Sequence, residues 1–327
     1  MATNESQIVF WNSKKSRSLW GMNCVPVLLS LLVLFVSSCG MSDGNQKTPE
    51  GFVRYCVKQL DRKALYADSP EWKAMKDSII AETKTMTTMD QAHNAVIKAA
   101  AVAGGKHSTL LPPVKDTTTY VEIAPEVMLL EGNILHIILP AHSGVKVSDS
   151  LYIHSVLGFL QEHIDAQGVI LDLRGNSGGN MYPMIAAVSP LLPNGVVINF
   201  KSRNRTTPIM LDFVMSQYGL SSGSVKKFLS NTPIAILTDD WTGSSGEATL
   251  LCFRGLSNVR TFGIPTAGYA SANYTVPLAS GYKLLITMSC DMARTGEIFC
   301  EDPIQPDVNT QFPFEEAIKW INSSAQF

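Results

Sequence analysis

Ser244 stands three positions before Glu247 in "TDDWTGSSGEATL" (238–250), just after an apolar run that ends at Leu237. Ser-x-x-Glu ahead of helix-forming residues is a capping box, in which the hydroxyl accepts from one orphan amide and the Glu reaches back to another. The same place suits a nucleophile, because the free amides and positive dipole end of a helix favour a developing negative charge. The two roles are compatible on one residue. A second stretch, "GVILDLRGNSGGN" (168–180), puts Gly175, Gly178 and Gly179 directly after a continuous apolar segment. Glycine lets backbone amides come close to a ligand, and the chemistry that needs such amides is oxyanion stabilisation. The alternative is a tight turn with no ligand. A third stretch, "GGKHSTLLPP" (104–113), carries His107, a residue type that titrates near neutral pH and serves as a general base.

These residues need elements to place them. Helical periodicity predicts helices over roughly 49–65, 70–84 and 88–101, with caps for the third in "TTMDQA". "YVEI" and "NILHIILP" then read as strands, followed by a helix over 148–166. "GVILDL", "VVINF", "PIAILT" and "VRTFG" read as further strands separated by helices, "YKLLITMSC" as the start of a late hairpin, and 314–322 as a closing helix. Uninterrupted apolar strands alternating with helices predict a covered, largely parallel sheet, whose carboxyl edge is where ligands sit.

The chain has 327 residues, 45 % of them hydrophobic, enough for one large domain with a small partner. The net charge of -2 supplies no basic block for nucleic acid. No Walker sequence occurs, and the stretch around Ser244 carries no Gly-x-Ser-x-Gly elbow. Lys14, Lys15 and Arg17 precede the apolar run 25–36, which is too short to span a bilayer comfortably but suits a signal peptide. The run ends in "LFVSSCG", which is similar to a bacterial lipobox with Cys39 as the lipidated residue. The expected organisation is a signal peptide over 1–39, a tether over 40–48, a helical domain over 49–106 and a catalytic domain over 107–327. The expected location is the bacterial cell envelope, on a lipid anchor. Of the later cysteines, Cys290 and Cys300 flank a turn and could pair in an oxidising compartment. The favoured expectation is that they, Cys56 and Cys252 are unpaired, partly buried thiols. No Cys/His spacing suggests zinc, and no cofactor is expected.

"GVILDLRGNSGG", "ILTDDWTGSSGEATLL", "TFGIPTAG" and "PIQPDV", in that order, resemble the C-terminal processing, or tail-specific, serine peptidase family, which includes the tricorn core protease and interphotoreceptor retinoid-binding protein. The resemblance implies an α/β fold of stacked β-β-α units, as in Clp protease and crotonase, with an N-terminal helical part. It implies Ser244 as nucleophile, with the Ser245 amide and that of Gly178 or Gly179 as oxyanion hole. Many members use a Lys base that falls here on Tyr269. The tricorn-like branch uses a His in a segment matched by "GGKHS", which implies His107, titrating around pH 6–7, with His142 as runner-up. The acid that orients the His falls on Glu301, with Asp302 close behind, and Ser108 follows the His where relatives have a Ser before it. Too few residues separate His107 from "NILHII" for a PDZ domain. The implied function is a serine endopeptidase acting on a peptide or protein. A non-catalytic ligand or peptide binder on the same scaffold is the alternative, with hydrolysis of another ester or amide third.

Overall fold

The computed structural model describes residues 46–113, 123–143, 146–279 and 281–324. Cys39, the signal peptide, most of the tether and nearly all of "YVEI" lie outside them. In chain order the elements are α1 (Pro49–Lys63), α2 (Pro70–Glu82), α3 (Met89–Gly104), β1 (Thr109–Leu111), β2 (Glu126–Leu130), β3 (Ile134–Ile138), α4 (Lys146–Glu162), β4 (Gly168–Asp172), α5 (Met181–Ala187), β5 (Val196–Ser202), β6 (Thr206–Met210), α6 (Leu211–Ser216), β7 (Ile234–Thr238), α7 (Ser245–Leu251), β8 (Val259–Gly263), β9 (Ser271–Pro277), β10 (Lys283–Met292), β11 (Ile298–Phe299), β12 (Val308–Asn309) and α8 (Pro313–Ser324).

The expected mixed α/β architecture is present as two sheets. One runs β12-β8-β7-β4-β3-β2, parallel except for β2, which returns antiparallel on β3. Its central strands are buried on both faces, which is why they read as unbroken apolar runs. Leu135, Ile137, Val169, Leu171 and Ile236 point to the main core beneath α4, α5 and α7. The alternate residues Ile134, Ile170, Ala235 and Leu237 pack on Ala317 and Ile321 of α8. The second sheet is antiparallel and built on the long β10, which pairs with β1 and β5 on one edge and β9 and β11 on the other.

The three N-terminal helices begin where polar caps allow. Thr48 accepts the Gly51 N–H at 3.1 Å, Ser69 that of Trp72 at 3.1 Å and Thr88 that of Gln91 at 3.3 Å. Their apolar faces (Phe52, Cys56, Leu60, Trp72, Val96, Ala99) share one core with Leu110, Val276, Leu284 and Ile286 of the antiparallel sheet. The helical part is thereby seated on the sheet that presents His107.

Cys290 and Cys300 form a disulfide, which corrects the expectation of four unpaired thiols. β11 folds back on β10 with Phe299 opposite Asp291, which brings the two Cα atoms to 4.7 Å, within bridging range. Cys56 and Cys252 are free and buried, as expected.

Candidate active site

The turn from β7 to α7 places Ser244 at the helix start with φ +51° and ψ -115°. Asn133 is the other non-glycine residue of positive φ among the described residues. A side chain held in that sparsely populated region costs of order 1–3 kcal/mol, and such strain clusters at functional sites. A sharp strand-to-helix turn of this kind carries the nucleophile in α/β-hydrolases, where it thrusts the hydroxyl out of the chain's path. Here it arises without their Gly-x-Ser-x-Gly motif. Gly246 supplies the close approach instead, since a Cβ there would lie 2.6 Å from the Asn176 carbonyl oxygen.

Two acceptors lace the turn together. Asp239 Oδ1 takes the Thr242 N–H at 2.9 Å and the Gly175 N–H at 3.0 Å, tying it to the loop after β4. Glu247, fully buried, takes four donors: the amides of Ser244 (2.9 Å), Gly268 (2.9 Å) and Tyr269 (2.7 Å) and the Thr266 hydroxyl (2.5 Å). The capping arm foreseen for Glu247 is therefore also the anchor of the "PTAGY" segment. Burial raises its carboxyl above the ordinary range, against the pull of those hydrogen bonds.

The glycine loop lies directly against Ser244. A Cβ on Gly178 would sit 2.8 Å from the Ser244 Cβ and 3.0 Å from the Ser245 nitrogen. Gly178 and Gly179 adopt φ +107° and +118°, which glycine alone accepts readily. The Gly178 N–H donates to Asn176 Oδ1 at 3.0 Å. Of the two glycines named from the sequence, Gly179 is thus the one whose amide is not committed to Asn176. The Ser245 hydroxyl donates to the Gly179 carbonyl at 2.8 Å and pins the loop. His142 secures its other side through the main chain: its N–H donates to the Gly178 carbonyl at 3.1 Å and its carbonyl accepts from Asn180 at 2.7 Å. Its ring meets Asp149 Oδ1 at 2.7 Å, a partner that gives it a structural post.

Ser244, Ser245 and Gly179 line a cavity of about 30 Å³ with Met181, Phe200, Ala248, Ser271, Ala272, Asn273 and Asp291. A wider cleft of about 470 Å³ shares Phe200 and Ala272 as walls and is edged by Arg62, Lys63, Arg203 and Arg205. His107, also buried, reaches this place through Ser271, whose hydroxyl is 2.8 Å from Nδ1. Its ring meets the edge of Tyr269 at 5.1 Å, and the Lys106 ammonium caps that tyrosine at 4.4 Å. Burial, with the Lys106 charge second, pushes the His107 pKa down to about 4, which corrects the expected range of 6–7.

The structure thus gathers Ser244, Ser245, Gly178, Gly179, His107 and Tyr269. Glu301 lies behind the His107 loop, where its Oε1 accepts the Lys106 N–H at 2.7 Å. The group at His107 Nδ1 is Ser271. Ser108 is turned onto β10, donating to Thr287 Oγ1 at 3.0 Å and accepting the Thr287 N–H at 2.8 Å. Asp302 is exposed. Sequence reasoning missed Ser271, Asn176 and Asp291. A signal existed for the last in "ITMSCDM", where Thr287, Ser289 and Asp291 alternate as buried polar residues along β10.

The family model for peptidase family S41 matches residues 148–310, the span holding the glycine loop, the Ser244 turn and β10. The chain is 37 % identical over 283 residues to the nisin-resistance protein of Lactococcus lactis subsp. lactis, covering 84 % of this chain and 88 % of that one. The chain belongs to peptidase family S41. Among solved structures, this S41 chain is similar to a lipoprotein from Streptococcus agalactiae, with 31 % identity, a TM-score of 0.76, and 89 % of this chain and 99 % of that one covered. It also shares its fold with the photosystem II D1 C-terminal processing protease, at 12 % identity and a TM-score of 0.58, over 81 % of this chain and 93 % of that one.

Proposed function

We propose that this S41 protein is a serine endopeptidase of the bacterial cell envelope, held to a membrane by lipid on Cys39. The observation that carries the reading is Ser244, strained at φ +51° on a strand-to-helix turn, with Gly178 packed on its Cβ. In the proposed mechanism a peptide lies in the cleft with its scissile carbonyl over Ser244. His107, bonded through Nδ1 to Ser271, takes the Ser244 proton on Nε2 and returns it to the leaving amine. The alkoxide adds to the carbonyl carbon, and the oxyanion is met by the amides of Ser245 and Gly179. Glu301 is a positioning residue that holds the His107 loop through the Lys106 amide. Tyr269 walls the imidazole and takes no part in the proton transfer. The short stretch between His107 and Ile134 provides no PDZ module, so the cleft itself grips the substrate.

The name of the Lactococcus relative supports resistance to nisin as the biological role, which makes nisin the first peptide to assay. The test is treatment of the purified protein with a fluorophosphonate probe, followed by peptide mapping. Adduct on Ser244, blocked by prior incubation with nisin, is the expected result. An unlabelled Ser244 in folded protein would leave the scaffold as a non-catalytic binder.

A further inference from the structure

The small cavity beside Ser244 holds a polar group that the mechanism above does not use. β10 alternates Thr287, Ser289 and Asp291 onto its buried side, and the last of these lines the same cavity as Ser244, Ser245 and Gly179. Asp291 is 1 % exposed, and its Oδ1 has no hydrogen-bond partner among the described residues. A buried polar atom left unpaired bears its full desolvation cost, so an arriving donor gains more there than at the surface. The other polar walls are engaged elsewhere. Ser271 meets His107 Nδ1, and Asn273 Oδ1 accepts from Thr287 Oγ1 at 2.8 Å. Met181, Phe200, Ala248 and Ala272 make the rest apolar.

Size narrows the choice of occupant. A cavity of about 30 Å³ compares with the ~10–15 Å³ that one water needs, so about two to three non-hydrogen atoms fit. That is the Cβ and Oγ of a serine or the Cβ, Oγ1 and Cγ2 of a threonine, and it excludes a leucine or the four-carbon stem of a lysine. Burial and the nearby Glu247 charge raise the Asp291 carboxyl well above the ordinary range.

Building on the peptidase reading, we propose that Asp291 sets specificity in this cavity, accepting a hydrogen bond from the hydroxyl of a serine or threonine that flanks the scissile bond. The full-length protein in detergent is incubated with a proteome-derived peptide library, and cut sites are mapped by mass spectrometry. The same is done for Asp291→Ala and Asp291→Asn, with fluorophosphonate labelling of Ser244 run on each. In the wild type, serine and threonine at one flanking position are expected to exceed alanine by about ten- to a hundredfold, the value of one satisfied buried group. Asp291→Asn, which keeps an acceptor, retains the preference, and Asp291→Ala cuts with alanine and serine alike. A wild-type preference for Lys or Arg, no preference, or one that survives in Asp291→Ala overturns the assignment. The wild-type profile decides alone if Asp291→Ala does not fold. Labelling with no cleavage also overturns it, and loss of both labelling and cleavage overturns the peptidase reading beneath it.

Discussion

Folding suppresses protonation of His107, and replacing it with Gln removes that linkage. Its pKa lies at about 4 in the folded protein and near 6.5 when exposed. Between those values the unfolded chain binds a proton that the native chain does not, so stability falls as pH drops through the window. The contribution is complete above about pH 6.5 and fully lost below about pH 4. The gap is worth about 3 kcal/mol, of which about 2.5 kcal/mol is lost by pH 4.5. The side chain is 4 % exposed, so solvent screens little of it. Urea unfolding from pH 7.5 to 4.5, for wild type and His107→Gln, isolates the term, since the other titrating groups cancel in the difference. The difference should narrow by about 2.5 kcal/mol toward acid. The same low pKa keeps the base neutral, so kcat/KM should stay level down to about pH 5 and fall to half near pH 4. Parallel stability curves, or an activity limb at pH 6–7, would refute a buried, proton-poor His107.

Gly178→Ala puts a methyl 2.8 Å from the Ser244 Cβ in a backbone of positive φ. It should lower the urea midpoint by an amount worth about 2 kcal/mol and reduce kcat at least about a hundredfold. Cys300→Ser opens a bridge spanning 10 positions, whose loss should cost about 3 kcal/mol in a chain-entropy treatment, read as a lower Tm. Activity should fall with it, because Glu301, the next residue, holds the His107 loop. Cys39→Ala should move the protein from the membrane to the soluble fraction or stall its processing. Mass spectrometry of the mature N-terminus then tests for lipid on Cys39.

The parallel sheet was legible because its strands are buried on both faces and so appear as continuous apolar runs, "GVILDL" and "PIAILT". The antiparallel sheet was harder to read. Its hairpin β5–β6 and strand β9 are half-buried, and "SANYTVP" carries polar residues inward toward the site, which blurs a hydrophobic signal. Ser244 and the glycine loop could be found because motif and turn chemistry coincide there. The partner of the His107 imidazole could not, since Ser271 lies 164 positions away and is placed by β9 pairing with β10. Glu301 stands beside the His107 loop, but its carboxylate serves a backbone amide. The His107 pKa depends on burial between the helical part and the sheet, a tertiary quantity that residue type alone does not carry.

Ser244→Ala tests most directly whether the strain at Ser244 serves an attacking oxygen. Ser244→Ala keeps the turn and removes that oxygen alone. Hydrolysis of nisin or of a general peptide substrate is followed by mass spectrometry, beside thermal unfolding of the same preparation. The expected result is a folded variant, within about 1 kcal/mol and a few degrees of wild type, whose turnover has fallen by about 10⁴-fold or more. Hydrolysis that persists in folded Ser244→Ala would contradict it and return Ser244 to the role of a helix cap.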